Sequence, residues 1–170
     1  DGERWLLTAA SLCFPSRWRL AEKIGRDLYA IHGPVPFYED RIGGAVQTFF
    51  DRLTPDRPIW RFNWTLLDDP ALFQPEAATR WRDLELDGRD LGDVLHFRLE
   101  RQTLRALPAS GDVLFTIRTY VQRMRDLENL RPGAFADLAA TLETTPEPTV
   151  DYKGWAPLRD ATIAWLRARS

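Results

Sequence analysis

The residues best equipped for chemistry crowd into one stretch, from Ser11 to Pro36: Cys13, Glu22, Lys23 and His32, punctuated by Pro15, Gly25, Gly33, Pro34 and Pro36. A thiol, a carboxylate, an amine and an imidazole cover nucleophilic, proton-transfer and metal-ligand chemistry. The stretch follows neither the period of a helix nor that of a strand. A second stretch places Arg98, Glu100, Arg101 and Arg105 inside what otherwise reads as a strand. A chain that needed only a core would not concentrate such residues there. Together the two stretches predict a polar, cofactor-holding pocket.

Of the histidines, His32 and His96, the first is the better ligand candidate. Gly33, Pro34 and Pro36 restrict the backbone after it and place it on a loop, where an imidazole is free to serve as an axial ligand to haem iron. His96 sits mid-strand between Leu95 and Phe97 and reads as a surface or supporting group. Cys13 ends an apolar run, where a buried, inert cysteine is the common outcome. A metal site of His32, His96 and a carboxylate has no supporting spacing. A serine hydrolase would need a nucleophile elbow that the chain lacks, and Gly43-Gly44 lacks the flanking spacing of a phosphate loop.

Alternation divides the second stretch into two faces. His96, Arg98, Glu100 and Gln102 share one, and Leu95, Phe97, Leu99, Arg101 and Thr103 share the other. Arg101 is therefore expected among apolar residues, where a buried guanidinium needs an anionic partner. That partner is either Glu22 or an aspartate of the chain, or a carboxylate of a bound group.

The elements that must position these residues follow from pattern. Residues 4–13 read as an apolar strand stopped by Phe14-Pro15. A brief helical turn is expected around Arg19–Ile24, and an extended segment after His32, stiffened by Pro34 and Pro36. Ile42, Ala45, Val46, Phe49, Phe50 and Leu53 recur at helical spacing and predict an amphipathic helix. Ile59 to Leu67 alternates, with Trp60, Phe62, Trp64 and Leu66 on one side, and predicts a half-buried strand. A polar loop spans Asp68 to Asp93, with a short helix near Pro75–Trp81. Leu95–Leu104 and Val113–Val121 read as an antiparallel hairpin closed at Pro108 and Ala109-Ser-Gly-Asp112. Pro132 is placed as the first residue of a helix with Phe135, Leu138, Ala139 and Leu142 on one face. Residues 144–150, with Pro146 and Pro148, read as an exposed linker, and Pro157–Arg169 as a terminal helix. Strands that follow one another without alternating helices predict an α+β domain.

Composition narrows the function. At 170 residues the chain suffices for one domain or slightly more. A net charge of −2 argues against neutralising nucleic-acid phosphates. Lys23 and Lys153 are the only lysines among 23 basic residues. That bias reflects a GC-rich coding sequence, arginines that grip carboxylates bidentately, or both. One cysteine excludes an internal disulfide and any multi-cysteine zinc or iron–sulfur site within this chain, and a reducing cytoplasm is the natural setting. No apolar run approaches the roughly 18 residues that span a bilayer, so no membrane is expected. The opening Asp1-Gly-Glu-Arg-Trp5 reads as the middle of a protein, and further residues upstream are expected.

Several motifs occur in a fixed order: Leu12-Cys-Phe-Pro-Ser-x-Trp18, Glu22-Lys-Ile-Gly25, Ile31-His-x-Pro-Val-Pro36, Arg61-x-Asn-Trp64, Glu100-Arg-Gln-Thr-Leu-x-x-Leu-Pro108, Phe115-Thr-Ile-Arg-Thr-Tyr120 and the late Tyr152-Lys-Gly154. In this the chain resembles the haem-dependent oxidative N-demethylase alpha subunits and their relatives over nearly its whole length. The resemblance implies a PAS-like antiparallel sheet with flanking helices, as a haem-binding domain over residues 1–143 that lacks its N-terminal part. Residues 144–170 would then be the linker and C-terminal helix. It implies a monooxygenase-type demethylation of a small methylated amine such as dimethylamine, with O2 as oxidant. NADPH electrons would arrive through FMN and an iron–sulfur cluster on partner subunits. The haem would be of the b type, since no Cys-x-x-Cys-His attachment is present. On this likeness His32 is the proximal ligand. Glu100, Arg101 and Arg118 are the catalytic candidates beside Gln102, and Trp64 and Phe115 wall the pocket. A PAS-like gas sensor without catalysis, and a domain without haem in which His32 caps a turn, are the alternatives.

Overall fold

The computed structural model describes residues 4–76 and 88–170. An antiparallel sheet is built from β1 (Ile59–Leu67), β2 (His96–Ala106) and β3 (Val113–Arg123), in the order β1-β2-β3. With the helices named below, this is the α+β class the sequence predicts. The chain divides into two compact units, and each strand contributes residues to both.

The hairpin has a single register. Leu107 N–H donates to the Asp112 carbonyl at 2.7 Å, and Met124 N–H donates to the Leu95 carbonyl at 2.8 Å. Carried along the strands, that register sets Arg101 opposite Arg118 and Gln102 opposite Ile117.

The first unit comprises Asp1–Asn63, Phe73–Glu76 and Glu100–Thr119. A 3-10 turn at Leu20–Glu22 bears out the expected helical turn, and α2 (Gly43–Asp51) bears out the amphipathic helix. Residues 4–13 do not form the expected strand. Their pairing is an isolated bridge, Leu6 to Asp27, flanked by bonds from Leu7 N–H to the Arg26 carbonyl and from Leu28 N–H to the Trp5 carbonyl. The ladder stops because its partner turns at once into α1 (Leu28–His32). The segment after His32 is not extended either. Val35 N–H donates to the His32 carbonyl and Tyr38 N–H to the Val35 carbonyl, giving successive turns. In the second, Pro36 precedes Phe37 at φ 63°, the pattern of a type II turn. Proline's fixed φ serves a turn as well as an extended chain. A π-helical turn, Tyr38–Ile42, follows and leads into α2. On β1, Trp60 and Phe62 are 57% and 51% exposed, so this half of the strand is not half-buried as its alternation suggests.

The second unit comprises Trp64–Leu72, Ala77–Leu99 and Tyr120–Ser170. It contains α3 (Leu91–Val94), a 3-10 turn at Met124–Asp126, α4 (Leu127–Leu130), α5 (Ala134–Thr144), α6 (Glu147–Lys153) and α7 (Arg159–Arg167). α5 buries Phe135, Leu138, Ala139 and Leu142, the face its sequence spacing predicts. These pack with Leu66, Leu95, Met124, Val150, Trp155 and Leu166. Pro132 lies outside α5. The Glu128 carboxylate accepts the N–H groups of Gly133 and Phe135, so a side chain beyond the helix holds its N-terminus. Residues expected as an exposed linker instead carry α6. Pro146 caps it and Pro148 sits in its first turn, where no intrahelical donor is required. The short helix expected near Pro75–Trp81 lies, beyond Glu76, outside the described residues.

Candidate functional site

The site grows from α1. Asp27 caps that helix by accepting from Ala30 N–H at 2.7 Å, and Arg4 donates to the same carboxylate at 2.7 Å. His32 does not lie on a loop as expected: it is the last residue of the helix, half-buried, because Asp27 caps a helical turn that runs through it, and its Nδ1 lies 2.8 Å from the Leu28 carbonyl oxygen. A carbonyl only accepts, so this contact assigns the proton to Nδ1 and leaves Nε2 with its lone pair. An imidazole of that tautomer is a metal ligand whose orientation is already fixed.

Tyr38 stacks on the His32 ring, with centroids 4.5 Å apart and planes at 14°. Tyr29 meets Tyr38 edge-on at 5.9 Å. The Tyr29 ring fits because residue 43 is glycine: a Cβ there would stand 2.5 Å from Tyr29 Cε1. Tyr38 is 4% exposed, and its hydroxyl is buried without a hydrogen-bond partner among the described residues. Burial holds its phenol above the ordinary range, so it keeps its proton at neutral pH.

Two cations, Lys23 and Arg61, act on the His32 ring. Burial lowers the Lys23 ammonium below its usual range, and its Nζ donates to the Ile31 carbonyl at 2.9 Å. Arg61 Nε donates to Gln102 Oε1 at 2.8 Å, while Gln102 Nε2 donates to Glu100 Oε2 at 3.1 Å. Gln102 is 5% exposed and thus orders Arg61 and Glu100 from within the sheet.

His32 titrates below the ordinary imidazole range. Burial is the main cause, and the charges of Lys23 and Arg61 add to it, while the bond to Leu28 works the other way. The imidazole thus binds a proton more weakly in the folded chain than in the unfolded one. Acidification below about pH 6.5 therefore favours unfolding. Urea midpoints should fall between pH 7 and pH 5.5, and His32→Gln should flatten that part of the profile. Asp27 and Glu128, held low chiefly by backbone N–H donors, lose their contributions only at lower pH, in the carboxylate range.

The structure gathers some predicted residues and separates others. Glu100 and Gln102 join Arg61 in one network. Arg101 is exposed, not buried among apolar side chains, and its guanidinium lies 5.6 Å from the Trp60 ring centroid. The buried guanidinium of the strand is Arg98, 1% exposed, which donates to the Leu72 carbonyl in the second unit. Alternation sorted the faces correctly, but the polar face is the covered one. Phe115 is 45% exposed and Arg118 is exposed on β3. Trp64 belongs to the second unit, stacked with Phe97 and Trp155. His96, also in that unit, places Nδ1 3.0 Å from the Val94 carbonyl. Cys13 is exposed, contrary to the buried cysteine expected, because the run preceding it is not a strand. Among the described residues no three of His, Cys, Asp and Glu gather as a metal cluster. None of the helices described is long and apolar enough to cross a membrane.

Residues the sequence did not single out complete the picture. Gln74, 3% exposed, accepts from Arg17 Nε at 3.2 Å and bonds through its backbone to Pro15 and Arg17, fixing the Cys-Phe-Pro-Ser segment. Tyr38 was overlooked because its contact with His32 depends on the left-handed Phe37 and on a π-helical turn.

The α+β fold thus carries a half-buried histidine whose Nδ1 is committed to the Leu28 carbonyl, leaving the Nε2 lone pair uncommitted by that contact. The family described as haem-dependent oxidative N-demethylase, alpha subunit-like, matches residues 1–163 of the 170, and the chain belongs to it. The haem in that description fits the residues present: a ligand-competent Nε2 on His32, and beside it a buried hydroxyl with no partner among the described residues.

Proposed function

We propose that this chain is the haem-binding subunit of an oxidative N-demethylase, removing a methyl group from a small amine such as dimethylamine with O2. The observation that carries the reading is the family match over residues 1–163 together with the tautomer of His32. Bound haem would supply oxygen chemistry. The chain would hold the iron through His32 Nε2. Glu100, ordered by Gln102, and Arg101 and Arg118, opposite each other on β2 and β3, would orient the amine and move protons, with Phe115 as an apolar wall. The β2–β3 hairpin with its neighbouring helices supports a PAS-like core. The alpha-subunit description supports partner chains, and we assign them FMN, an iron–sulfur cluster and NADPH, in the cytoplasm.

The test combines spectrum and turnover. The purified full-length protein should take up b-type haem with a Soret band. With a flavin–iron–sulfur reductase, it should release formaldehyde from dimethylamine at the expense of NADPH, and it should oxidise no NADPH alone. Haem binding without turnover would leave a gas-binding module, and a protein colourless after haem addition would remove the haem reading.

A further inference from the structure

The hydroxyl of Tyr38 serves no purpose within the described chain. Stacking on His32 and the edge contact with Tyr29 use the ring alone, so phenylalanine would make both. The hydroxyl is buried with no hydrogen-bond partner among the described residues, and burying such a group unpaired is costly. The backbone nevertheless takes an uncommon path to place it: Phe37 is left-handed at φ 63° and Tyr38 opens a π-helical turn. Strained backbone and π-turns of this kind gather at ligand sites. Arg61, on β1 in the same unit, is braced by Gln102 and supplies an ordered cation there.

We propose that the Tyr38 hydroxyl donates a hydrogen bond to a carboxylate of the group held by His32, with Arg61 as the countercharge. The inference rests on the haem reading above, under which that carboxylate is a haem propionate. A phenol hydroxyl is a hydrogen-bond donor, and a bond to an ionised carboxylate is stronger than one to a neutral acceptor. Tyr38 would then have two tasks: its ring orients His32, and its hydroxyl selects a ligand carrying an acid.

The experiment titrates haem-free full-length protein with haem and, separately, with haem dimethyl ester, whose propionates are uncharged. The Soret band reports binding, and transfer to apomyoglobin reports dissociation. Wild-type protein should prefer the free acid. Tyr38→Phe should weaken haem binding by about 20-fold or more, within the range for hydrogen bonds to charged groups, and leave ester binding unchanged. Arg61→Gln should show the same selectivity for the acid. Equal loss for both ligands would reduce Tyr38 to packing and overturn the proposal, as would no loss for either. Failure of the wild type to bind either ligand would instead remove the haem reading, and this inference with it.

Discussion

Replacing His32 with alanine is expected to strip haem from the protein, whereas His96→Ala and Cys13→Ala should leave the Soret band in place. The contrast follows from where each side chain's lone pair is available. His32 commits Nδ1 to the Leu28 carbonyl and stacks on Tyr38, so its ring is aimed before any ligand arrives. Little ordering cost then opposes binding. Burial and the nearby cations also keep it neutral, as a metal ligand must be. His96 has a comparable backbone contact, at 3.0 Å, but it lies on β2 within the second unit, outside the Ile31–Pro36 motif that the family resemblance singles out. Loss of an outer-shell partner typically costs 10–100-fold in metal affinity. Loss of the ligand itself should exceed that, so haem affinity of His32→Ala should fall by more than about 100-fold. Added imidazole should partly restore the Soret band by filling the gap left at residue 32. A normal spectrum for His32→Ala, with a bleached His96→Ala, would transfer the ligand to His96.

How far the sequence carried this picture depended on whether a feature is periodic. α2, α5 and the three strands were legible because apolar spacing records the period of an element; burial followed it in α5 but not at Trp60 and Phe62 of β1. The segment from Gly33 to Ile42 was not legible. Its proline content suits both extended chain and turns, and the outcome was decided by Phe37 adopting a left-handed conformation that side chains seldom take. The stack of Tyr38 on His32 follows from that turn and leaves no periodic trace. Residues 144–150 misled for a related reason: proline breaks helices in their interior but begins them well, and composition alone does not say which position a proline holds. His32 was singled out for a loop setting, whereas it closes the helix α1, and the partner that fixes its tautomer shows only in the fold.

The parity of β2 shows the same limit and yields the last prediction. Alternation assigns Arg98 and Arg101 to opposite faces without saying which face is covered. The natural guess is that a cation sharing a face with Leu99 and Phe97 is the buried one. Coverage is decided elsewhere in the chain: Arg98 is 1% exposed with its guanidinium on the Leu72 carbonyl, and Arg101 is exposed beside Trp60. Truncating Arg98 removes a large, fully enclosed side chain and deprives the Leu72 carbonyl of a donor. Cavity formation and the lost hydrogen bond together should lower the unfolding free energy by about 2–4 kcal/mol in Arg98→Ala. Arg98→Met, which restores most of the volume but no donor, should recover part of that loss. Arg101→Ala removes an exposed cation–π contact worth about 0.5–1 kcal/mol, so its urea midpoint should stay close to wild type. Any effect of Arg101→Ala on haem retention or amine turnover would then report on the site, since the fold would be intact. If Arg101→Ala unfolds the chain and Arg98→Ala does not, the buried face of β2 is the other one, and the network from Glu100 through Gln102 to Arg61 must be reassigned with it.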